Sequence, residues 1–360
     1  MSGLKTLRTR INTIRQTEKI TSAMKMISVP KLRKAYANLL EAYAYADESN
    51  RIIRRLVRSA TWRQEQLDET NSSEKINFPL LLTGRVSPKK HLVVSITSDE
   101  GLCGQFNQSI ISKTEKVIQK IISDNETPEL LCFGYKGGEI LKKKYPHLSI
   151  KIVSGHILGR GDAFTDAYKL MTSLIDGFYK EDFDVCTFVY SRFQSAAVQK
   201  IQIEQLIPVS MFQHENKWQA LIDDTDSFYT ERDFSGNKKV KSSSATLFTA
   251  IGGQYITSPL GDIDAQNLLK VSTRSPDAYD YEPTDLELLE SFLPSYLNAY
   301  VYRILLETTA SENASRMMAM ENATKNANEM LSSLNKLYHR KRQEKITTDI
   351  IEGITGGKLS

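Results

Sequence analysis

The 360-residue sequence predicts an α/β protein in which a central α/β domain carries a long antiparallel coiled coil made from the two ends of the chain. Three patterns predict it. Apolar residues recur at three- and four-residue steps from Leu4 to about Val57, short β-rich runs alternate with helical segments between residues 91 and 211, and a second long helical pattern fills the C-terminal end.

In the first element Leu4, Leu7, Ile11, Ile14, Ile20, Met24, Ile27, Leu32, Leu39, Ile53 and Leu56 keep the helical step. At about 1.5 Å per residue this helix extends roughly 80 Å, so much of it lies outside any compact core. Pro30 is expected to kink it, because proline removes a backbone hydrogen bond and crowds the preceding turn. The reading divides the chain into an N-terminal coiled-coil helix (1–60), a linker or insertion (61–90) marked by Asn71-Ser72-Ser73, Pro79, Gly84 and Pro88, the central α/β domain (91–211), an inserted loop region (212–279) and a C-terminal coiled-coil helix (280–360).

Within the central domain, His91 to Thr97, Glu129 to Phe133, Ser149 to Val153, Asp184 to Tyr190 and Val198 to Ile207 read as strands. Gln105 to Ser123, Tyr135 to Lys144 and Asp162 to Tyr179 read as helices. Such alternation implies a mostly parallel sheet covered on both faces. The last helix opens near Pro283 and Thr284 and runs to about Ile354, before Gly356-Gly357; Pro294 is a candidate bend. Its middle carries Ala310, Ala314, Ala319, Ala323 and Ala327 with few large aliphatics. Small side chains let backbones approach closely, so this stripe predicts a helix partner, and the other terminal helix supplies one.

Composition narrows the function classes. With 40% apolar and 25% charged residues the chain is neither collagen-like, disulfide-built nor wholly disordered, and no apolar run nears the roughly 18 to 20 residues that cross a bilayer. The opening MSGLKTLRTR lacks the apolar core of a secretory signal, and the helical pattern starting at Leu4 favours mature structure over a transit peptide. Cys103, Cys132 and Cys186 are widely spaced and odd in number, which argues against a zinc site or disulfide framework and for a reducing compartment. Residues 1–58 hold 13 Lys or Arg against 4 Asp or Glu, about +9, while the whole chain sums to +4.

Candidate chemistry is sparse. Ser98-Asp99-Glu100-Gly101-Leu102-Cys103-Gly104 follows a strand and opens a helix, where α/β folds hold phosphates, yet it is neither a dinucleotide fingerprint nor a phosphate-binding loop of the nucleoside-triphosphatase type. Tight strand-to-helix packing accounts for it, and Cys103, without a nearby histidine, reads as a small buried residue. His91, His147, His156, His214 and His339 form no metal set, and Asp223, Asp224 and Asp226 lack the glycine and glutamate of a calcium loop. The basic helix from Lys5 to Lys34 has an apolar stripe and no aromatic residue before Tyr36, which fits a shaft among acidic protein surfaces better than a nucleic-acid arm.

At both ends the residues resemble the gamma subunit of F-type ATP synthases. Glu18-Lys19-Ile20-Thr21-Ser22-Ala23-Met24-Lys25-Met26 with Lys31-Leu32-Arg33 is similar to that family's first-helix signature. Ala310-Ser311-Glu312-Asn313-Ala314-Ser315-Arg316-Met317-Met318-Ala319-Met320 with Asn322-Ala323-Thr324 resembles its most specific motif, followed by Tyr338, Arg342-Gln343, Ile346-Thr347 and Ile350-Ile351-Glu352. Ser98-Asp99, Gly101 to Gly104 and Asn107 match the turn of its central domain.

The resemblance implies a Rossmann-like central domain and a noncatalytic rotor of the central stalk, coupling proton or ion flow through a membrane ring to ATP synthesis elsewhere. Implied partners are an alpha3/beta3 hexamer, an epsilon subunit and a c-subunit ring, with no cofactor, no metal and no nucleic acid. It also implies partner contacts at Lys19, Met24, Arg316, Gln343, Thr347 and Glu352. Pro30, Glu100, Gln105 and the two long insertions depart from the family pattern, and the second insertion has no cysteine, so the dithiol loop of the plastid branch is missing. A peripheral position on the cytoplasmic face of a bacterial inner membrane is expected. The alternatives are a coiled-coil adaptor whose α/β domain binds another protein, and an enzyme acting at Gly101 to Gly104.

Overall fold

A computed structural model describes residues 2–69, 77–153, 163–209, 282 and 284–356. The N-terminal helix α1 spans Ser2–Glu69 and the C-terminal helix α6 spans Asp285–Gly356. Between them come the short α2 (Leu80–Thr83), β1 (Lys90–Ile96), α3 (Phe106–Ser123), β2 (Thr127–Phe133), α4 (Tyr135–Lys144), β3 (Ile150–Val153), α5 (Ala163–Tyr179), β4 (Val185–Phe193) and β5 (Gln199–Ile207). The expected inserted loop at 212–279 lies outside the described residues, as do Asp223, Asp224, Asp226, His156 and His214.

The five strands order as β3-β2-β1-β4-β5. Those from β3 to β4 pair in parallel, joined through crossover helices, while β5 returns antiparallel to β4. Only residues 194–198 separate β4 from β5, too few for a crossover, so a hairpin is the geometry that remains. Side chains alternate across the sheet as the pleat requires. Val93, Val189, Ile201 and Ile203 meet Phe106, Ile110, Val117 and Ile121 of α3 on one face. Leu92, Val94, Ile96, Phe188 and Tyr190 face the other way, onto Met171, Leu174 and Phe178 of α5 and onto the base of the two long helices. The sheet is therefore covered on both sides, and the foot of the coiled coil is part of the domain's own core.

One expectation needs correction. Residues 61–69 do not belong to a linker, because α1 continues to Glu69. That segment contains no Gly or Pro, and it gains a partner when Arg63 reaches the buried Asp285 carboxylate at 2.9 Å. Pro30 lies within this continuous helix, on an exposed face.

Candidate functional site

Two places could carry function: the carboxyl edge of the sheet, where this fold class binds ligands, and the coiled coil. At the sheet edge the turn after β1 is tied to itself. The Ser98 amide donates to Asn107 Oδ1 at 2.9 Å, Asn107 Nδ2 donates to Ser98 Oγ at 2.7 Å, and Ser98 Oγ donates to the Glu100 carbonyl at 2.6 Å. Gly104 has φ +59°, a left-handed conformation that suits glycine.

The chain's own α6 then lies against this edge. Ser311 Oγ donates to the Ser191 carbonyl at 3.1 Å, Ser315 Oγ to Gln199 Oε1 at 3.0 Å, and Arg316 Nη2 to the Gly101 carbonyl at 3.4 Å. Cys103 is buried there and burial pushes its thiol up, against the opposing effect of the Ser98 hydrogen bond, so it is a poor nucleophile. His91 is likewise a packed residue, set between Glu126 Oε2 at 3.0 Å and Thr187 Oγ1 at 2.8 Å. Among the described residues no group of three His, Cys, Asp or Glu could hold a metal, and no helix is long and apolar enough to cross a membrane.

The coiled coil shows a single antiparallel register from foot to top. Asp285 meets Ser59 and Arg63, Tyr296 meets Asn50, Glu307 meets Tyr43, Glu321 meets Lys25, and Thr324 meets Thr21. As the position on α6 rises, its partner on α1 falls. Ala310 and Ala314 are fully buried against Leu32, Ala35, Leu39 and Ala42, so the alanine stripe does what small side chains permit and brings the backbones close. Higher up, Met330 shares a shallow groove with Lys5, Thr9, Thr13 and Ile14. By that register the start of α1 lies level with about residue 342, and α6 extends roughly 20 Å beyond that point. Residues 341–351 are all exposed, including Ile346, Ile350 and Ile351.

The residues expected to meet partners separate into groups. Lys19, Gln343 and Thr347 are exposed, with the Thr347 hydroxyl donating to the Gln343 carbonyl at 3.0 Å, and Met24 is half-buried. Glu352 lies in α6, but its side chain is outside the described residues. Arg316 requires correction as a direct partner contact: it is buried, bound to Glu312 at 2.6 Å and to the Gly101 turn, so it works within the chain. What reading by motif missed is the apolar face of the free tip, visible only once the register shows where α1 ends.

A family model described as ATP synthase matches residues 3–358. The ATP synthase gamma chain of Rhodospirillum rubrum is 33% identical over 362 residues, and that of Pelagibacter ubique 32% identical over 358, each alignment covering 99% of both chains. Among solved structures, a chain of the Euglena gracilis mitochondrial ATP synthase aligns with a TM-score of 0.55 at 16% identity, covering 99% of this chain and 94% of that one. A chain of the Tetrahymena thermophila mitochondrial ATP synthase central stalk and c-ring aligns at 0.50 and 22% identity, over 84% of this chain and 99% of that one.

Proposed function

The chain belongs to the ATP synthase gamma-chain family, and from that premise we infer how its rod and domain divide the work of a central-stalk rotor. It is a noncatalytic subunit that couples ion flow through a membrane ring to ATP synthesis on an alpha/beta hexamer, held at the membrane as a peripheral part of the complex. The adaptor alternative is set aside, since the family match spans nearly the whole chain. Placement on the cytoplasmic face of a bacterial inner membrane is our proposal, favoured by the bacterial relatives.

The rod enters the hexamer tip first in this reading, and the α/β domain stays toward the c ring and the epsilon subunit. Turning a bent, asymmetric shaft changes which contacts each catalytic subunit makes, so rotation selects among their conformations by differential contact. The observation that carries this is the free tip: Ile346 and Ile350 stand 46% and 57% exposed on a helix that has outrun α1. We assign contact with the alpha/beta hexamer to Lys19, Met24, Gln343, Thr347 and Glu352 together with these isoleucines, and the boundaries of the coiled-coil and domain segments follow the same division of labour.

The test replaces both isoleucines, Ile346→Asp and Ile350→Asp, in the full chain and measures its affinity for the purified alpha/beta hexamer. Burying each isoleucine is worth about 1.5–3 kcal/mol, so affinity is expected to fall at least about tenfold. Unchanged stoichiometric capture at unchanged affinity would remove the tip from the interface.

A further inference from the structure

Where the coiled coil joins the domain, a connected set of buried polar side chains spans both long helices and two strands. Arg303 of α6 lays its guanidinium over the Tyr300 ring at 4.2 Å and approaches the Tyr43 ring of α1 at 5.8 Å. Its Nη2 lies 3.7 Å from Glu204 Oε2 on β5, and its Nε lies 3.9 Å from Glu307 Oε1, one turn further along α6. The Tyr43 hydroxyl donates to Glu307, and the Tyr300 hydroxyl donates to Glu204 at 2.8 Å. From β4, Arg192 adds a second positive charge that acts on Glu307, and Tyr190 stands buried beside the same groups. The Glu307 side chain is 0% exposed and that of Arg303 13%.

Two cations therefore face two carboxylates inside the neck. A set like this is a poor source of net stability, because desolvation offsets most of the attraction, and its best-attested use is to fix one register among several that apolar packing would accept. The surrounding contacts here are Leu, Ile, Val and Tyr surfaces, which attract without direction. Rotating the helix pair on the domain would leave Tyr43 with Glu307, but it would draw Arg303 and Tyr300 away from Glu204 on β5 and Glu307 away from Arg192 on β4 while leaving Arg303 and Glu307 buried. The charges oppose turning and the apolar packing opposes separation.

We propose that Arg303 and Glu307 are positioning residues for the rotor: they lock the angle of the coiled coil on the α/β domain, so that rotation of one is delivered to the other without slip. The inference rests on the rotor reading. In membranes whose ATP synthase carries this chain, ATP-driven ion pumping per ATP hydrolysed is measured for the wild type, for Arg303→Met, and for the double variant Arg303→Met with Glu307→Met, which exchanges the pair for apolar side chains and leaves Glu204 bonded to Tyr300. Failure of the wild-type chain to support pumping would strike the rotor reading itself.

The double variant is expected to assemble normally and to hydrolyse ATP at the wild-type rate while pumping about threefold less per ATP. Should Arg303→Met fail to fold because the buried Glu307 loses its neighbouring guanidinium, the double variant decides. An unchanged pumping ratio in assembled double-variant complexes would overturn the proposal. Loss of assembled complex in that variant would also overturn it, because that outcome marks the pair as a folding requirement.

Discussion

At the neck, Leu32, Leu39, Ile53 and Leu56 of α1 are at most 3% exposed against Leu293, Leu297, Leu305, Ala310 and Ala314 of α6, whereas at the tip Ile346, Ile350 and Ile351 are at least 46% exposed. The side-chain sizes run opposite to naive hydropathy: alanines are sealed in and isoleucines are left in water. Distance to the nearest helix explains the inversion. Where α1 and α6 pair closely, a methyl group fills the space; beyond the start of α1, large apolar side chains of α6 stand exposed and can meet another chain. One helix thus serves two purposes along its length, stabilising the chain below and recognising partners above.

The widest gap between the two regions should come from truncating one large aliphatic side chain in each environment. Leu39→Ala removes fully buried methyl groups from the neck and is expected to cost about 2–5 kcal/mol in the unfolding free energy of the full chain. Ile346→Ala at the tip should change that quantity by less than about 0.5 kcal/mol, since the side chain is 46% exposed on a part of α6 beyond the start of α1. Denaturant unfolding of both variants checks the contrast. Equal losses would mean that the tip is folded against the rest of the chain and is not a free surface.

A smaller effect is expected from enlarging the neck. Ala314 is fully buried beside Leu32, Ala35 and Leu39, so Ala314→Phe must force the helices apart or push side chains off their rotamers, at about 1–3 kcal/mol. Coupled ATP synthesis in reconstituted membranes should fall with it, because the same separation bends the rod. Wild-type stability and wild-type synthesis in this variant would mean that the stripe does not set the helix spacing.

The same contrast explains what was legible in the sequence. Strands β1 to β5 and helices α3 to α5 could be read within a few residues, because their pleat or helical period is complete inside each segment. The pairing of the ends followed from Ala310 and Ala314, whose burial is a consequence of size. Arg316 was misread as a surface contact because its motif says nothing about which direction it points, and the Gly101 turn that receives it lies more than two hundred residues away. Residues 61–69 were misread because they carry no apolar repeat and the tie from Arg63 reaches Asp285, more than two hundred residues away. The Arg303, Glu307, Glu204 and Tyr43 set was invisible for a related cause, since it joins three elements and only the Arg303–Glu307 spacing is local.

Between neck and tip lies Lys25, whose Nζ meets Glu321 Oε1 at 2.9 Å with both side chains about a third exposed. If stability is lost gradually up the rod, this pair should behave as a surface ion pair. A double-mutant cycle with Lys25→Gln and Glu321→Gln is then expected to give a coupling of about 0.2–1 kcal/mol, reduced by solvent screening. Raising salt to about 1 M, where the screening length is about 3 Å, should erase most of it. A coupling well above that range, or one insensitive to salt, would place Lys25 and Glu321 in a neck-like interior and move the start of the recognition surface above them, toward Thr21 and Thr324, where two threonine hydroxyls meet across the helices at 2.8 Å.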